Sequence, residues 1–471
     1  MKPFTRHQWA VLSVVLASYL LIILDISIVV TGLPQIRDTL GFSHTGLSWV
    51  QNAYTLTFGG LLLLGARAGD LLGRKRLFLI GLSLFILSSF AIGLAQSPAF
   101  LISARAVQGI GAAVLAPSTL ALLSVSFGEG EQRVKALSFY AATAGIGSTL
   151  GLVLGGFFAG WLSWRVGFFI NVPLGLLLLW FAYRALDETP VHTGQFDALG
   201  SISSTLGMGA LVFGIEFAAD HGWQMPAVKA SLSVGTLLLA FFAYHESRTE
   251  HPLLPLRLFA SRERLGAYIG RMLFVGAMVS FFFFSTQLLQ GVMHFSPIQA
   301  GFAFMPITLA TFVASVTVPR LTRRFGNNAV LLSALLLLIL GMGVLSLAGP
   351  HSHYLSAVAL PMVLIGLGNG AALGPLTIAG VAKVASRDAG AASGLVNAAH
   401  QLGGTLGLSV LVVVFAGAGT SANPVVRLGQ RLSACFEGAT VMLLLALVFI
   451  VLLTLLPRLA GRQQDASQLD T

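Results

Sequence analysis

The sequence predicts an all-α integral membrane protein of fourteen transmembrane helices, arranged as two six-helix bundles with two further helices inserted between them. Three observations predict this. The 471 residues are 56% hydrophobic and only 9% charged, against roughly 25% charged in soluble domains. The charges gather between apolar runs of about 20 residues, the length a helix needs to cross a bilayer. Lys and Arg are divided unequally between alternate loops.

The apolar runs place spans at residues 8–31, 46–66, 77–95, 99–126, 136–160, 166–185, 198–219, 226–245, 263–290, 297–319, 328–348, 354–380, 387–416 and 435–456. An even number of spans puts both termini on one side. Twenty of the 27 Lys and Arg residues fall in the termini and loops of that side. Five (Arg37, Arg165, Lys229, Arg427 and Arg431) fall in loops of the other, and Arg105 and Arg271 fall inside spans. Basic loops stay in the cytoplasm, so both termini are expected there. The same distribution accounts for the net charge of +10 without a nucleic-acid partner. The first apolar run is too long for the core of a cleavable leader, and no small-residue site interrupts it before Asp25, so it is expected to stay as span 1. The one cysteine, Cys435, excludes an internal disulfide and a cysteine metal cage; it is expected to pack. No metal site is expected.

The two halves resemble each other. Gly65 to Arg76 follows span 2, and Pro319 to Gly326 follows span 10. Aligning Gly73 with Gly326 puts basic residues at similar places on the same membrane side. The expected organisation is therefore a six-helix bundle at 1–185, a linker with two extra spans at 186–261, and a second six-helix bundle at 262–471.

Asp25 lies in an apolar segment running from Trp9 to Thr31, with no basic residue beside it. A carboxylate in hydrocarbon is costly, so it must meet a partner or water from other helices, or carry a proton. Protonated, it loses its charge and lets the protein rearrange; ionised, it attracts a cation. The competing reading is a structural ion pair with an arginine of another helix. Arg105, Gln108 and Ala112 share one face of span 4, which should point into the bundle. Arg105 is expected to bind an anionic group or tune Asp25, or else to act as a buried strut.

The loop Gly69-Asp70-Leu71-Leu72-Gly73-Arg74-Lys75-Arg76 has other chemistry. Its glycines permit a tight turn, and Asp70 is placed to pair with a basic residue or cap the next helix. Such a cluster can latch one conformation, although its cations serve orientation in any case. In span 13, Asn397, His400, Gln401 and Gly404 make one polar face; His400 is a candidate proton handler or a structural donor. With Gln51 and Tyr54 of span 2, Gln108, Gln287, Gln290 and Asn369, the residues Asn397 and Gln401 are expected to line a weakly charged cavity. Gly147, Gly151 and Gly155 form a small-residue stripe on span 5, where another helix can approach closely. Arg271 is expected to snorkel to the cytoplasm, Glu216 to sit at the interface, and some of Phe281 to Phe284 to face lipid. The glycine-rich stretch Gly366 to Gly370 follows no strand and is not a nucleotide loop.

Leu24 to Pro34, Gly65 to Arg76, Arg105 to Ala113, Trp164 to Gly175, and the series Leu258-Phe259, Gln290, Pro297, Gly301 and Pro306 occur in order at fitting topological positions. Together they resemble the fourteen-span drug:proton antiporters of the major facilitator superfamily, over nearly the whole chain. The resemblance implies proton coupling for Asp25 and Arg105, and a conformational gate at Gly69, Asp70, Gly73, Arg74 and Arg76. One departure stands out: the family's antiporter motif has Gly-Pro where this chain has Gly151-Leu152, which keeps the glycine stripe and loses the bend.

These observations predict a secondary transporter that exports hydrophobic or cationic drugs in exchange for protons across a bacterial cell membrane. No nucleotide-binding loop of the Gly-x-x-x-x-Gly-Lys-Ser/Thr form occurs, so the proton gradient is the expected energy source, with no cofactor. The expected partners are a small-molecule substrate, protons and the lipid bilayer; a periplasmic adaptor is left open. Alternatives are export of an endogenous antibiotic or siderophore, and symport. A membrane-embedded transferase is disfavoured, because His351 and His353 have no acidic or nucleophilic companion.

Overall fold

A computed structural model describes residues 4–127, 131–189, 191, 197–249, 252, 254–384 and 389–455. Regular structure among them is all helical, and fourteen helices are long and apolar enough to cross a membrane. They are span 1 (Arg6–Leu40), span 2 (Gly46–Leu72), span 3 (Arg74–Gly93), span 4 (Pro98–Ser126), span 5 (Lys135–Trp161), span 6 (Trp164–Ala185), span 7 (Ala198–His221), span 8 (Pro226–Arg248), span 9 (Arg262–Val292), span 10 (Pro297–Phe325), span 11 (Asn327–Leu345), span 12 (Leu355–Gly380), span 13 (Ala391–Gly417) and span 14 (Pro424–Thr454). Each matches an expected span.

Local sequence sets the helix ends. Thr5 and Gln8 exchange side-chain and backbone bonds in a capping box at the start of span 1. Ser97, Ser296 and Asn423 cap spans 4, 10 and 14, each followed by proline in the first turn, where its missing N–H costs nothing. Gly73 and Gly326, which the sequence aligns, precede spans 3 and 11 with φ of 97° and 84°. Side chains disfavour that backbone region, so both basic loops turn the same glycine-dependent corner.

The chain forms two compact units. The first comprises Met1–Phe242 and Thr286–Met305, the second Ala243–Ser285 and Pro306–Thr471. In the first, span 4 lies against spans 2 and 3, and span 1 against span 5. Phe78, Phe85, Leu82, Leu115 and Phe127 fill the core there. The glycine stripe explains the approach of spans 1 and 5: a Cβ on Gly151 would meet Ser27, and one on Gly155 would meet Thr31 and the Ile28 carbonyl. Span 7 packs on span 2 through Thr205 against Gly60, and span 8 packs on span 7 through Leu239 against Gly207.

In the second unit, spans 9, 12 and 13 meet around Tyr268, whose hydroxyl donates to the Gly380 carbonyl at 2.7 Å. Gly276 and Gly407 let spans 9 and 13 touch backbone to backbone. Leu258, Leu395, Val396 and Ala399 form an apolar cluster beside them. Three of the four consecutive phenylalanines (Phe281, Phe283 and Phe284) are fully buried and Phe282 is half-buried. The expectation that some face lipid is narrowed to Phe282, because the other three pack against protein.

Candidate functional site: a charged ring among five spans

Asp25 and Arg105 are each 1% exposed and form an ion pair of 2.7 Å between Arg105 Nη1 and Asp25 Oδ2. The other carboxylate oxygen accepts from Gln108 Nε2 at 2.8 Å and from Asn171 Nδ2 at 2.9 Å. Both amides also donate to Ser89 Oγ, at 2.8 and 3.3 Å. Arg105 Nη1 donates to Gln108 Oε1 at 2.6 Å and Arg105 Nε to the Val50 carbonyl at 2.9 Å. The guanidinium lies over the Tyr54 ring, 4.4 Å from its centroid, and 5.8 Å from that of Phe168. Spans 1, 2, 3, 4 and 6 of the first unit all contribute.

Each position has a local cause. Arg105 and Gln108 are one turn apart, so both reach the same side of span 4. Asn171 follows a break at Ile170 that splits span 6 into Trp164–Phe169 and Asn171–Ala185. Pro173 cannot donate to the carbonyl four residues back, which frees the chain to break there. The glycine stripe brings span 5 against Leu24, Ser27, Ile28 and Thr31, a different face of span 1 from the one that carries Asp25.

Burying an ion pair costs several kcal/mol per ion in lost hydration, and good hydrogen bonds must offset it. Here the carboxylate accepts three bonds, each worth roughly 1.5–3 kcal/mol when charge-assisted. Every group bonded to Asp25 is a donor, so this geometry belongs to the ionised carboxylate. A proton on Oδ2 would face a guanidinium that can only donate, and the ring would open. Arg105 would then keep Gln108 Oε1, the Val50 carbonyl and the Tyr54 face.

The other predicted residues lie apart from this ring. Gln51 is buried on span 2, its Oε1 without a hydrogen bond among the described residues. Gln290 donates to the Thr31 carbonyl at 2.9 Å, and Gln287 faces His44. In the second unit, Asn369 donates to Thr311 Oγ1 at 3.4 Å and Asn397 to the Ser393 carbonyl of its own helix. His400 faces Arg271, with Nδ1 3.4 Å from Nη2. Gln401 is half-buried.

At the basic loop, Arg74 Nη2 meets Asp70 Oδ1 at 2.8 Å. The capping of span 3 falls to Glu188, which the sequence did not single out. Its carboxylate accepts from the backbone N–H groups of Lys75 and Arg76 at 3.0 and 3.1 Å. Thr189 Oγ1 accepts from Arg74 N. A Cβ on Gly73 would strike the Glu188 carboxylate, so this glycine is needed for the close approach as well as the turn.

Two expectations are corrected. Arg271 does not snorkel: it is 7% exposed and donates to Thr377 Oγ1 of span 12 at 2.8 Å. Glu216 is 4% exposed and accepts from the Asn52 amide. It is a buried contact between spans 7 and 2 rather than an interfacial residue. Asn52, Asn171 and Ser89 were missed because an amide or hydroxyl in an apolar span carries no signal of its partner. Asn171 had the best signal, the Asn-x-Pro step in the Trp164 to Gly175 segment.

The family model described as Major Facilitator Superfamily matches residues 15–408. A cephamycin export protein of Amycolatopsis lactamdurans is 39% identical over 463 residues, covering 97% of this chain and 94% of that protein. A puromycin resistance protein of Streptomyces alboniger is 40% identical over 422 residues, covering 88% and 83%. Among solved structures, the nucleoside transporter NupG superposes with a TM-score of 0.65 at 14% identity, covering 95% of this chain and 99% of that one, a likeness of fold. The chain is a multi-pass membrane protein of the Major Facilitator Superfamily, a family of transporters.

Proposed function

We propose that the chain is a proton-coupled exporter of drugs or antibiotics, working by alternating access in a bacterial cytoplasmic membrane with both termini in the cytoplasm. The observation that carries this reading is the buried ring of Asp25, Arg105, Gln108 and Asn171, a titratable acid held by donors alone. The named activities of the relatives, cephamycin export and puromycin resistance, support the direction and the cargo class. They also favour antibiotic cargo over a general metabolite.

In this reading, a proton reaching Asp25 from outside neutralises the carboxylate and opens the ring. Loss of the ion pair lets span 1 move against span 4 and changes the affinity for cargo. Return of the proton to the cytoplasmic side closes the ring again. The glycine stripe on span 5 gives span 1 a smooth track, and the Asp70–Arg74 loop with Glu188 latches the cytoplasmic ends. The organisation is read as two six-helix bundles with spans 7 and 8 inserted. The proton gradient supplies the energy without a cofactor, and the chain performs no catalysis.

The test uses inverted vesicles with an imposed pH gradient. Wild-type protein should accumulate an antibiotic cargo, and Asp25→Asn should abolish gradient-driven uptake while still binding that cargo. Uptake by Asp25→Asn that persists undiminished refutes the reading.

A further inference from the structure

We propose that Arg271 is the anchor of a binding site for the carboxylate of anionic cargo in the second unit. The proposal deepens the exporter reading and rests on it for the word cargo.

Arg271 is a charge buried within a span with no opposite charge beside it among the described residues. The described acidic residues of its unit are Glu246, Glu263 and Glu437, and none forms an ion pair with it. Glu246 accepts from the Leu254 backbone N–H. Glu263 lies in the first turn of span 9, about two turns from Arg271, and Glu437 is on span 14. Asp388 lies outside the described residues. The contrast with Arg105, which has its carboxylate and three further partners, is direct.

The guanidinium is also underused as a donor. One N–H goes to Thr377 Oγ1 at 2.8 Å and one faces His400 Nδ1 at 3.4 Å, while Nε is buried with no hydrogen bond. A guanidinium only donates, so His400 Nδ1 accepts and its proton sits on Nε2. The neighbours are therefore neutral and leave the positive charge uncancelled. A charge held this way within a membrane span is expensive unless something supplies the counter-charge.

The site is reachable. Thr377 and Asn397 are exposed, and His400 and Gln401 are half-buried. Thr377 and His400, the two side chains that touch the guanidinium, are exposed and half-buried, so polar groups open the site to the surface, where they are poorly suited to lipid. The planar fork of arginine fits a carboxylate through two parallel bonds. Thr377, held by its own bond to the Leu373 carbonyl at 2.8 Å, fixes the orientation of the fork. The ligand class is an amphiphilic organic acid, its carboxylate on Arg271.

The test titrates purified full-length protein in phosphatidylcholine nanodiscs with 2-naphthoate and with 2-naphthamide, the same ring without the charge. Wild type should bind the acid about tenfold more tightly than the amide. Arg271→Gln should remove that preference. Thr377→Asp, which supplies a counter-charge from within, should remove the preference too and serves if Arg271→Gln fails to fold. Equal wild-type affinities, or a preference that survives either substitution, overturn the proposal. Displacement of naphthoate by phosphatidylglycerol added to the discs also overturns it, in favour of a lipid headgroup. Binding is read without a gradient, so failed efflux would count against the exporter reading alone and equal affinities against this proposal alone.

Discussion

Asp25 and Arg105 depend on each other, and their removal should have different consequences. Removing Arg105 leaves a buried carboxylate without its cation, a change worth roughly 3–5 kcal/mol. Arg105→Ala should therefore melt markedly lower than wild type in a detergent thermal-shift assay. Asp25→Asn leaves the Arg105 guanidinium without its counter-charge but keeps the shape and an acceptor oxygen for it, so it too should melt lower, by less than Arg105→Ala, while losing gradient-driven transport. Asn171→Ala removes one of three donors to the carboxylate and should cost about 1–3 kcal/mol, read in the same assay. The sequence exposed Asp25 and Arg105 because charges in apolar runs are rare. It placed Arg105 as an anion partner or tuner of Asp25, or as a buried strut, and the structure pairs it with Asp25, the geometry of the structural ion pair. It did not reveal Ser89 or Asn171, since polar uncharged residues are common in spans and only the fold brings these onto one carboxylate. Arg271 was misjudged because a long side chain near a helix end usually reaches for water, and sequence does not show that the fold brings Thr377 onto it.

Two elements outside the ring shape the packing of the first unit, the glycine stripe of span 5 and the loop before span 3. Gly151→Leu should separate spans 1 and 5, since even a Cβ at that position meets Ser27 at 2.5 Å. Transport should fall by more than about tenfold while membrane insertion continues; uptake at the wild-type rate would show that the close approach is dispensable. The missing proline of the family motif at position 152 does not prevent this packing, because the contact is made by the glycines. Glu188→Ala should lose the cap on span 3, at about 1 kcal/mol, and raise amide exchange at Lys75 and Arg76. Spans were legible because their apolar length is a direct physical requirement; their ends were less so, and span 14 begins at the Asn423-Pro424 cap rather than at residue 435. The role of Glu188 was not legible, because its partners are backbone groups more than a hundred residues away.

At the scale of the whole molecule, the fourteen spans and the family both follow from composition and motif order. The matched positive-φ corners at Gly73 and Gly326 support the internal repeat read from the basic loops. Export should require the proton gradient. Collapsing both its pH and its voltage components should stop wild-type transport in vesicles, and transport that continues at the original rate would exclude proton coupling.

The most direct test of the central claim is infrared difference spectroscopy of Asp25 during turnover conditions. Purified protein in lipid is stepped through pH with and without cargo, and the carboxylic acid C=O band is assigned by its loss in Asp25→Asn. The account predicts a band from protonated Asp25 that grows as pH falls and diminishes when cargo binds. A carboxylate that stays ionised and paired with Arg105 at every pH and with every ligand would contradict it.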